Sequence, residues 1–430
     1  MEMVRRIEWR RNWFLIGLVV GVLLYAFSGP LDEVNARTDA PGSGLLSLAG
    51  PIGVGLLFFG VVGILTLVAA RVLGPIAAKS ATNRRLMQGL GAAILLLAFV
   101  FLPWYYDIFP YATLYKLTIA LQWVMVIIGI NLLTGYTGQI SLGQGAFFAI
   151  GGYTLGIASF HEWSLPWAIS LLIAPVITGI LGFLVGIPSL RLKGPYLALA
   201  TLAFAVIVMP IAKRFEEFTG GVQGIAMFGK IKLWDVFADH SDYFWYYLSL
   251  AAAVLMLVFV WNIMHGRIGR ALIAIRDNEI AASAMGVNVA LYKTTVFGIA
   301  AAFAGFAGAV NAAVIQFASP DQYSTLVSIR VFVGAVIGGV ASVPGAVFGG
   351  LFTQFIPDIA ADVSKAAADA VQAVILIVFM YAMRGGFAGF VVQTWHYGRR
   401  GVQLLRPAAS REPATEASAA ASAPSPSGSE

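Results

Sequence analysis

The chain has 430 residues, of which 59% are hydrophobic and 11% charged, where a soluble domain averages about half and about a quarter. That balance excludes a soluble globular domain, and the absence of cysteine excludes disulfides and thiolate metal sites. The net charge of +6 comes from basic residues gathered at the ends of apolar runs, which reads as membrane topology and not as a nucleic-acid surface.

Charge-free runs recur along the chain, and about 20 apolar residues suffice to cross a bilayer. Spans are predicted at 13–31, 48–70, 87–106, 112–131, 139–160, 165–190, 195–212, 243–264, 294–316 and 367–383, with a broken hairpin over 327–357. The fold class is therefore an all-α polytopic membrane protein of about ten transmembrane helices with broken or re-entrant segments. The first span follows a basic start but precedes no small-x-small cleavage site, so it reads as uncleaved. Arg5, Arg6, Arg10 and Arg11 place the N-terminus in the cytoplasm, and Arg384, Arg399, Arg400, Arg406 and Arg411 place the C-terminal end there too. With Arg191 and Lys193 also inside, the hairpin must enter and leave on one side. The four histidines, His161, His240, His265 and His396, are far apart and suggest no metal centre. Residues 408–430 are mostly Ala, Ser, Pro and Glu and read as a disordered tail.

Within the longest uncharged run lies NLLTGYTGQISLGQGAFFAIGGYT, residues 131–154. Two plain spans would not need amides and glycines at their junction. Non-helical backbone at membrane depth is tolerated only where protein or a water-filled cavity satisfies it. Asn131, Gln139, Ser141 and Gln144 are therefore the candidate residues of a solute path. The competing explanation is close helix packing through Gly145, Ala149 and Gly152. A second such element, VIGGVASVPGAVFGG at 336–350, is broken by Pro344. Its Gly339-x-x-Ser342 echoes Gly138-x-x-Ser141, and paired interruptions of this kind point to a transport site. Gly339 and Ser342 join the candidates on that ground. In LRLKGPYLALATLAF, Pro195 is well placed at the first position of a helix.

Residues 266–293, GRIGRALIAIRDNEIAASAMGVNVALYK, form a charged island between apolar runs. Ile268, Leu272 and Ile275 fall on one helical face. A second short helix over about 278–285 takes Asp277 as N-cap, carries Glu279 in its first turn and ends at Gly286. Its face of Ile280, Ala281, Ala284 and Met285 is too small and too weakly basic for a lipid surface, and suits a protein cleft. The sequence shows no G-x-x-x-x-G-K-[ST] motif, and ionisable residues nearly vanish from the spans, Arg330 and Asp369 lying near outer ends. An energy source then comes from another chain, attached at the island.

At these residues the chain resembles the permeases of ATP-binding-cassette importers for branched-chain amino acids, specifically the M-type subunit. The likeness runs from about Leu114 to Phe390 through GYTGQISLGQGAFFAIGGY, LKGPYLALATLAF, TGGVQGI, the island and MRGGFAGF. The resemblance implies a type II-like importer bundle, an H-type permease partner, two cytoplasmic ATPases and a periplasmic binding protein, in the bacterial inner membrane, with no cofactor of its own. It also implies that Arg267, Arg270, Arg276, Asp277, Glu279, Ala282 and Gly286 couple the chain to an ATPase. It divides the chain into an extension of about three spans over 1–110, a permease core over 111–390 and a cytoplasmic segment and tail over 391–430. One departure is GGVAS at 338–342, where Ala341 stands for the family's usual glycine and a different turn is expected. Urea or short-amide transport stays open as cargo. A secondary carrier remains the rival of another class, while a membrane enzyme would need an Asp, Glu or His constellation that is not legible here.

Overall fold

The computed structural model describes residues 111–160, 166–192, 194–228, 241–363, 368–382, 385–387 and 389. The three spans read before residue 111 and the tail lie outside the described residues. The described part is helical apart from loops and one pair of two-residue strands. Helix α1 covers Tyr111–Ile130 and passes into a π-helical turn at Asn131–Gly135. The chain then leaves the helix and re-enters it as α2, Gln144–Phe160. Helices α3, Trp167–Ser189, and α4, Pro195–Arg214, follow, then the short α5, Glu216–Thr219, and strand β1, Ile225–Ala226.

Helix α6 covers Ser241–His265, α7 Arg267–Asp277, α8 Glu279–Ala284 and α9 Val289–Ile315. Strand β2 is Phe317–Ala318. The hairpin is α10, Thr325–Gly338, and α11, Val343–Val363, and α12 covers Ala368–Ala382. Five stretches among the described residues are long and apolar enough to cross a membrane: Leu114–Gly135, Trp167–Ser189, Pro195–Arg214, Ser241–His265 and Val289–Ile315. The chain is thus an all-α polytopic membrane protein.

Burial separates posts from walls. The most apolar window of α1 is 94% buried and that of α9 67%, against 28% for α3, α4 and α6. Lipid tails give apolar side chains no reason to leave them, so helices associate where small residues let backbones approach. That is what α9 supplies. A Cβ built on Gly151 would collide with the Gly305 carbonyl, one on Gly308 with the Phe148 carbonyl, and one on Gly182 with Ala301. Helices α2 and α3 therefore lie against α9 at backbone distance.

Two ends of the bundle are defined by what gathers there. At one, β1 and β2 pair antiparallel, Ile225 opposite Ala318, and Trp167 packs edge-on against Trp245 with ring centroids 5.5 Å apart. Aromatic rings of this kind suit a membrane interface. At the other end lies the island. Helix α10 runs from the strand end towards the island. Helix α11 climbs back beside α1, with Gly349 against Ile127, Gly350 against Val124, and Gln354 accepting from Trp123 Nε1 at 3.1 Å. Both limbs of the hairpin open on the side away from the island, as the charge pattern predicts.

Several boundaries differ from the sequence reading. The span predicted from 139 becomes helical only at Gln144, and that predicted from 294 starts at Val289. The cap of α8 is Asn278, whose Oδ1 accepts from Ile280 N at 3.0 Å and Ala281 N at 3.1 Å, and not Asp277. Ile268 is also displaced from the inner face and is 46% exposed. The turn at Gly266 seats Gly269 on the Met264 backbone, which makes Gly269, Leu272 and Ile275 the buried row.

Adding a methyl at the α2–α9 crossing should force the two backbones apart. Gly308→Ala is expected to destabilise by about 1–3 kcal/mol. Gly179→Ala, where the nearest atom to an added Cβ is Ala302 Cβ at 3.3 Å, should lower the unfolding temperature far less. Thermal unfolding of both variants in detergent measures the difference.

Candidate translocation and coupling site

The π turn widens the helix just where the polar residues begin, a distortion that often marks function. Beyond it, Gly138 adopts φ +72°, which sends residues 138–143 back into the bundle without helical hydrogen bonds. Their backbone donors find partners elsewhere. Gln139 N donates to Leu133 O at 3.3 Å, Leu142 N to Thr201 Oγ1 at 2.9 Å, and Gly143 N to Ser141 Oγ at 3.3 Å. Gly145 N, in the first turn of α2, donates to Ser328 Oγ at 3.1 Å. Helices α4 and α10 thus complete a segment that cannot satisfy itself.

The two interruptions meet. Asn131 Nδ2 donates to Ser342 O at 3.0 Å, and Gly135 lies so close to Ala341 that a Cβ there would strike its backbone. Gly339 takes φ +112°, and Ser342 Oγ accepts from Gly345 N at 3.1 Å as α11 begins. Ser141 and Ser342 therefore each bond a backbone N–H where a broken helix resumes. Ala341 itself sits at φ +64°, so the turn keeps a left-handed path of the kind glycine favours although alanine occupies it. Gly386, from the MRGGFAGF stretch, backs onto Gly339.

Around this junction, buried amides are left over. Asn131 Oδ1, Gln139 Oε1 and both polar atoms of Gln144 have no hydrogen-bond partner among the described residues. Deeper in the bundle, Asn311 Nδ2 donates to Gln122 Oε1 at 2.7 Å while Gln122 Nε2 stays unpaired. The hydroxyls of Tyr153 and Tyr323 are likewise unpaired, with their rings 5.8 Å apart. An orphaned buried polar group costs about 1–3 kcal/mol, and those of Asn131, Gln139 and Gln144 lie beside the two interruptions. Sequence reasoning missed Gln122, Asn311, Thr201 and Ser328. Gln122 and Asn311 carried a usable signal, each an amide in an otherwise apolar stretch.

The island is fastened to the bundle on one face. Leu272 and Ile275 are buried, Arg276 Nη1 donates to Gly135 O at 3.1 Å, and Glu279 forms an ion pair with the buried Lys293 at the start of α9. Ala282 is buried too. Among the described residues the opposite face shows no such contacts. Arg267 and Arg270 are exposed, as is Asp277, which pairs with Arg276 Nε at 3.2 Å. Ile280 is 80% and Met285 85% exposed. Gly286, at φ +84°, closes α8: its N–H donates to Ser283 O at 2.9 Å and Val287 N to Ala282 O at 3.1 Å, a Schellman ending.

Residues 112–383 match the protein family described as branched-chain amino acid transport system / permease component. The chain belongs to this family. It is 35% identical over 247 residues to the high-affinity branched-chain amino acid transport system permease protein LivM of Salmonella typhimurium, covering 52% of this chain and 58% of that protein. The LivM protein of Escherichia coli K12 is 36% identical over the same shares. The permease protein LivH of Escherichia coli K12 is 25% identical over 288 residues, 63% of this chain and 92% of that one. The chain thus spans less than two thirds of the LivM proteins it matches. No solved structure matches it.

Within this family member, the left-handed alanine at the hairpin tip is an avoidable strain. A left-handed conformation costs an L-residue about 1–2 kcal/mol, and glycine gives back part of that through the unfolded chain. Ala341→Gly should therefore stabilise by about 0.5–1 kcal/mol, read as a higher unfolding temperature in detergent.

Proposed function

We propose that this chain is the membrane-spanning subunit of an ATP-driven importer that carries branched-chain amino acids into the cytoplasm. In this reading it works in the bacterial inner membrane beside an H-type permease subunit. Two cytoplasmic ATPases drive it and a periplasmic binding protein delivers the solute. Residues 111–390 are the permease core, preceded by an extension of about three spans and followed by a cytoplasmic segment. The chain hydrolyses no ATP itself. The names of the LivM relatives support the cargo.

The observation that carries the reading is the two-sidedness of the island. Its inner face is tied to the helices by Leu272, Ile275, Arg276 and the Glu279–Lys293 pair. Its outer face offers Ile280 and Met285, large apolar side chains left uncovered on a helix of small residues. An exposed apolar pair on a charged element suits a protein cleft. Arg267, Arg270, Asp277 and Gly286 frame that contact. On the bundle side, Asn131, Gln139, Ser141, Gln144, Gly339 and Ser342 border the path. Among the described residues the path carries neutral amides and hydroxyls, which can hydrogen-bond both the ammonium and the carboxylate of a zwitterion and leave no buried charge unpaired in the empty state.

Docking is tested by the double variant Ile280→Asp and Met285→Ser. Both positions are exposed, where substitutions stay within about 0.5 kcal/mol of stability, so the protein should remain folded and in the membrane. ATPase co-purification is expected to fall by about tenfold or more, a loss of at least about 1.4 kcal/mol. Full retention of the ATPases by this variant would refute the docking face.

The path is tested by Gln144→Met. Removing an unpaired buried amide at near-equal volume should raise stability by about 1–3 kcal/mol, while uptake of leucine, isoleucine and valine falls. A variant that is stabilised and transports normally would show that Gln144 only packs. Running the same assay with urea separates the two cargoes.

A further inference from the structure

Arg276 lies in the island, but its side chain turns towards the bundle. Nη1 reaches the carbonyl of Gly135 at 3.1 Å, in the π turn where α1 ends. Its aliphatic stem lies on Gly138, where an added Cβ would sit 3.3 Å from Arg276 Cγ and 4.0 Å from its Cβ. The same Gly135 is pressed against Ala341 at the tip of the hairpin. One side chain thus holds both ends of the turn that leads into the unwound stretch. All three arginines of α7 keep exposed surface, but among the described residues only Arg276 bonds that stretch.

We propose that Arg276 is a positioning residue for transport: it joins the island to the Gly135–Gly138 turn so that the two move as one body. This deepens the coupling reading above and rests on it. The Gly135 carbonyl lacks the regular α-helical acceptor role because the chain leaves the helix three residues later. A guanidinium is a fitting donor for it, since it is always charged and holds its donors in a fixed fork. A side chain that both bonds the carbonyl and fills the space over Gly138 transmits pushing as well as pulling. Displacement of α8 by a partner then reaches the turn, and the hairpin tip at Ala341 shifts with it. In this arrangement Arg276 contributes little to holding the ATPase and much to what the ATPase accomplishes.

The test separates those two contributions in the complete transport complex, reconstituted with its ATPases and solute-loaded binding protein. Arg276→Ala should leave ATPase co-purification unchanged, lower uptake by about tenfold or more, and abolish the rise in ATP hydrolysis that loaded binding protein produces. Arg276→Lys, which keeps a charge and one donor, should recover part of the uptake. The chain has no cysteine of its own, so a Gly138→Cys, Arg276→Cys pair can be oxidised selectively. The Cβ separation of 4.0 Å lies within the range of about 3.5–4.5 Å that a disulfide spans. A covalent bridge should replace the lost tie, making uptake higher in the oxidised form than in the reduced form.

Loss of ATPase co-purification in step with uptake would make Arg276 a docking contact and overturn the proposal. So would normal uptake by Arg276→Ala, or uptake in the double-cysteine variant that is lost on oxidation. If that variant is inert in both redox states, the alanine and lysine variants decide. Failure of the docking reading shows separately, as retained ATPases in the Ile280→Asp, Met285→Ser variant.

Discussion

Backbone that leaves a helix inside a membrane has no water to bond, so every freed donor and acceptor must be met by protein. That constraint organises this molecule. Between Gly135 and Gly145 the chain gives up its helical ladder, and five different groups answer: Leu133 O, Ser141 Oγ, Thr201 Oγ1, Ser328 Oγ and Arg276 Nη1. Three of these come from other elements, α4, α10 and α7. The unwound stretch therefore decides which helices must stand next to α1 and α2, and from which side the island must approach.

The same constraint explains why α9 is built of alanine and glycine. A hub that must bring α2 and α3 to backbone distance cannot carry large side chains at the crossings, and Ala300, Ala301, Ala304, Gly305, Ala307 and Gly308 are buried there. Its one charged residue, Lys293, lies at the start of its second turn, where Glu279 of the island neutralises it. A buried lysine left without its partner would be strongly destabilising. The pair thus fixes α8 against α9 as Arg276 fixes α7 against the π turn. Two polar ties, reaching different helices, leave the island little freedom to move without moving the bundle.

Much of this was legible in the sequence because membrane spans announce themselves. Uncharged stretches located α1, α3, α4, α6 and α9 within a few residues, and the basic ends implied that the 327–357 hairpin opens on one side. Glycines and amides in 131–154 marked the break. What the sequence could not convey was pairing. Helical spacing sets Arg276 four residues after Leu272, on the buried side of α7, and Arg267 and Arg270 on the other side, but it does not say that the guanidinium reaches the Gly135 carbonyl. The N-cap was misassigned by one residue since Asp277 and Asn278 are equally suited by type, and only the extended backbone of Asn278 lets its side chain reach Ile280 and Ala281. The partnership of Gln122 with Asn311 joins residues far apart in the chain, and no local pattern encodes it.

Left-handed backbone gathers at the two interruptions, although the other left-handed non-glycine residue, Gln316, lies at the far end of α9. Gly138, Gly339 and Ala341 all adopt positive φ, and Gly135, Gly338 and Gly345 allow backbone contact beside them. Left-handed backbone persists in a non-glycine residue only where the surroundings over-determine it. At Ala341 those surroundings are Gly135 and, through it, Arg276. The contacts that hold this strain are the same ones that link the two interruptions. The long packed helices on either side, with α1 buried and α9 locked by small residues, resist deformation. On the proposed coupling, a displacement delivered at Gly135 would enter the unwound stretch from Gly138 to Gly143, beside the unpaired amides of Gln139 and Gln144.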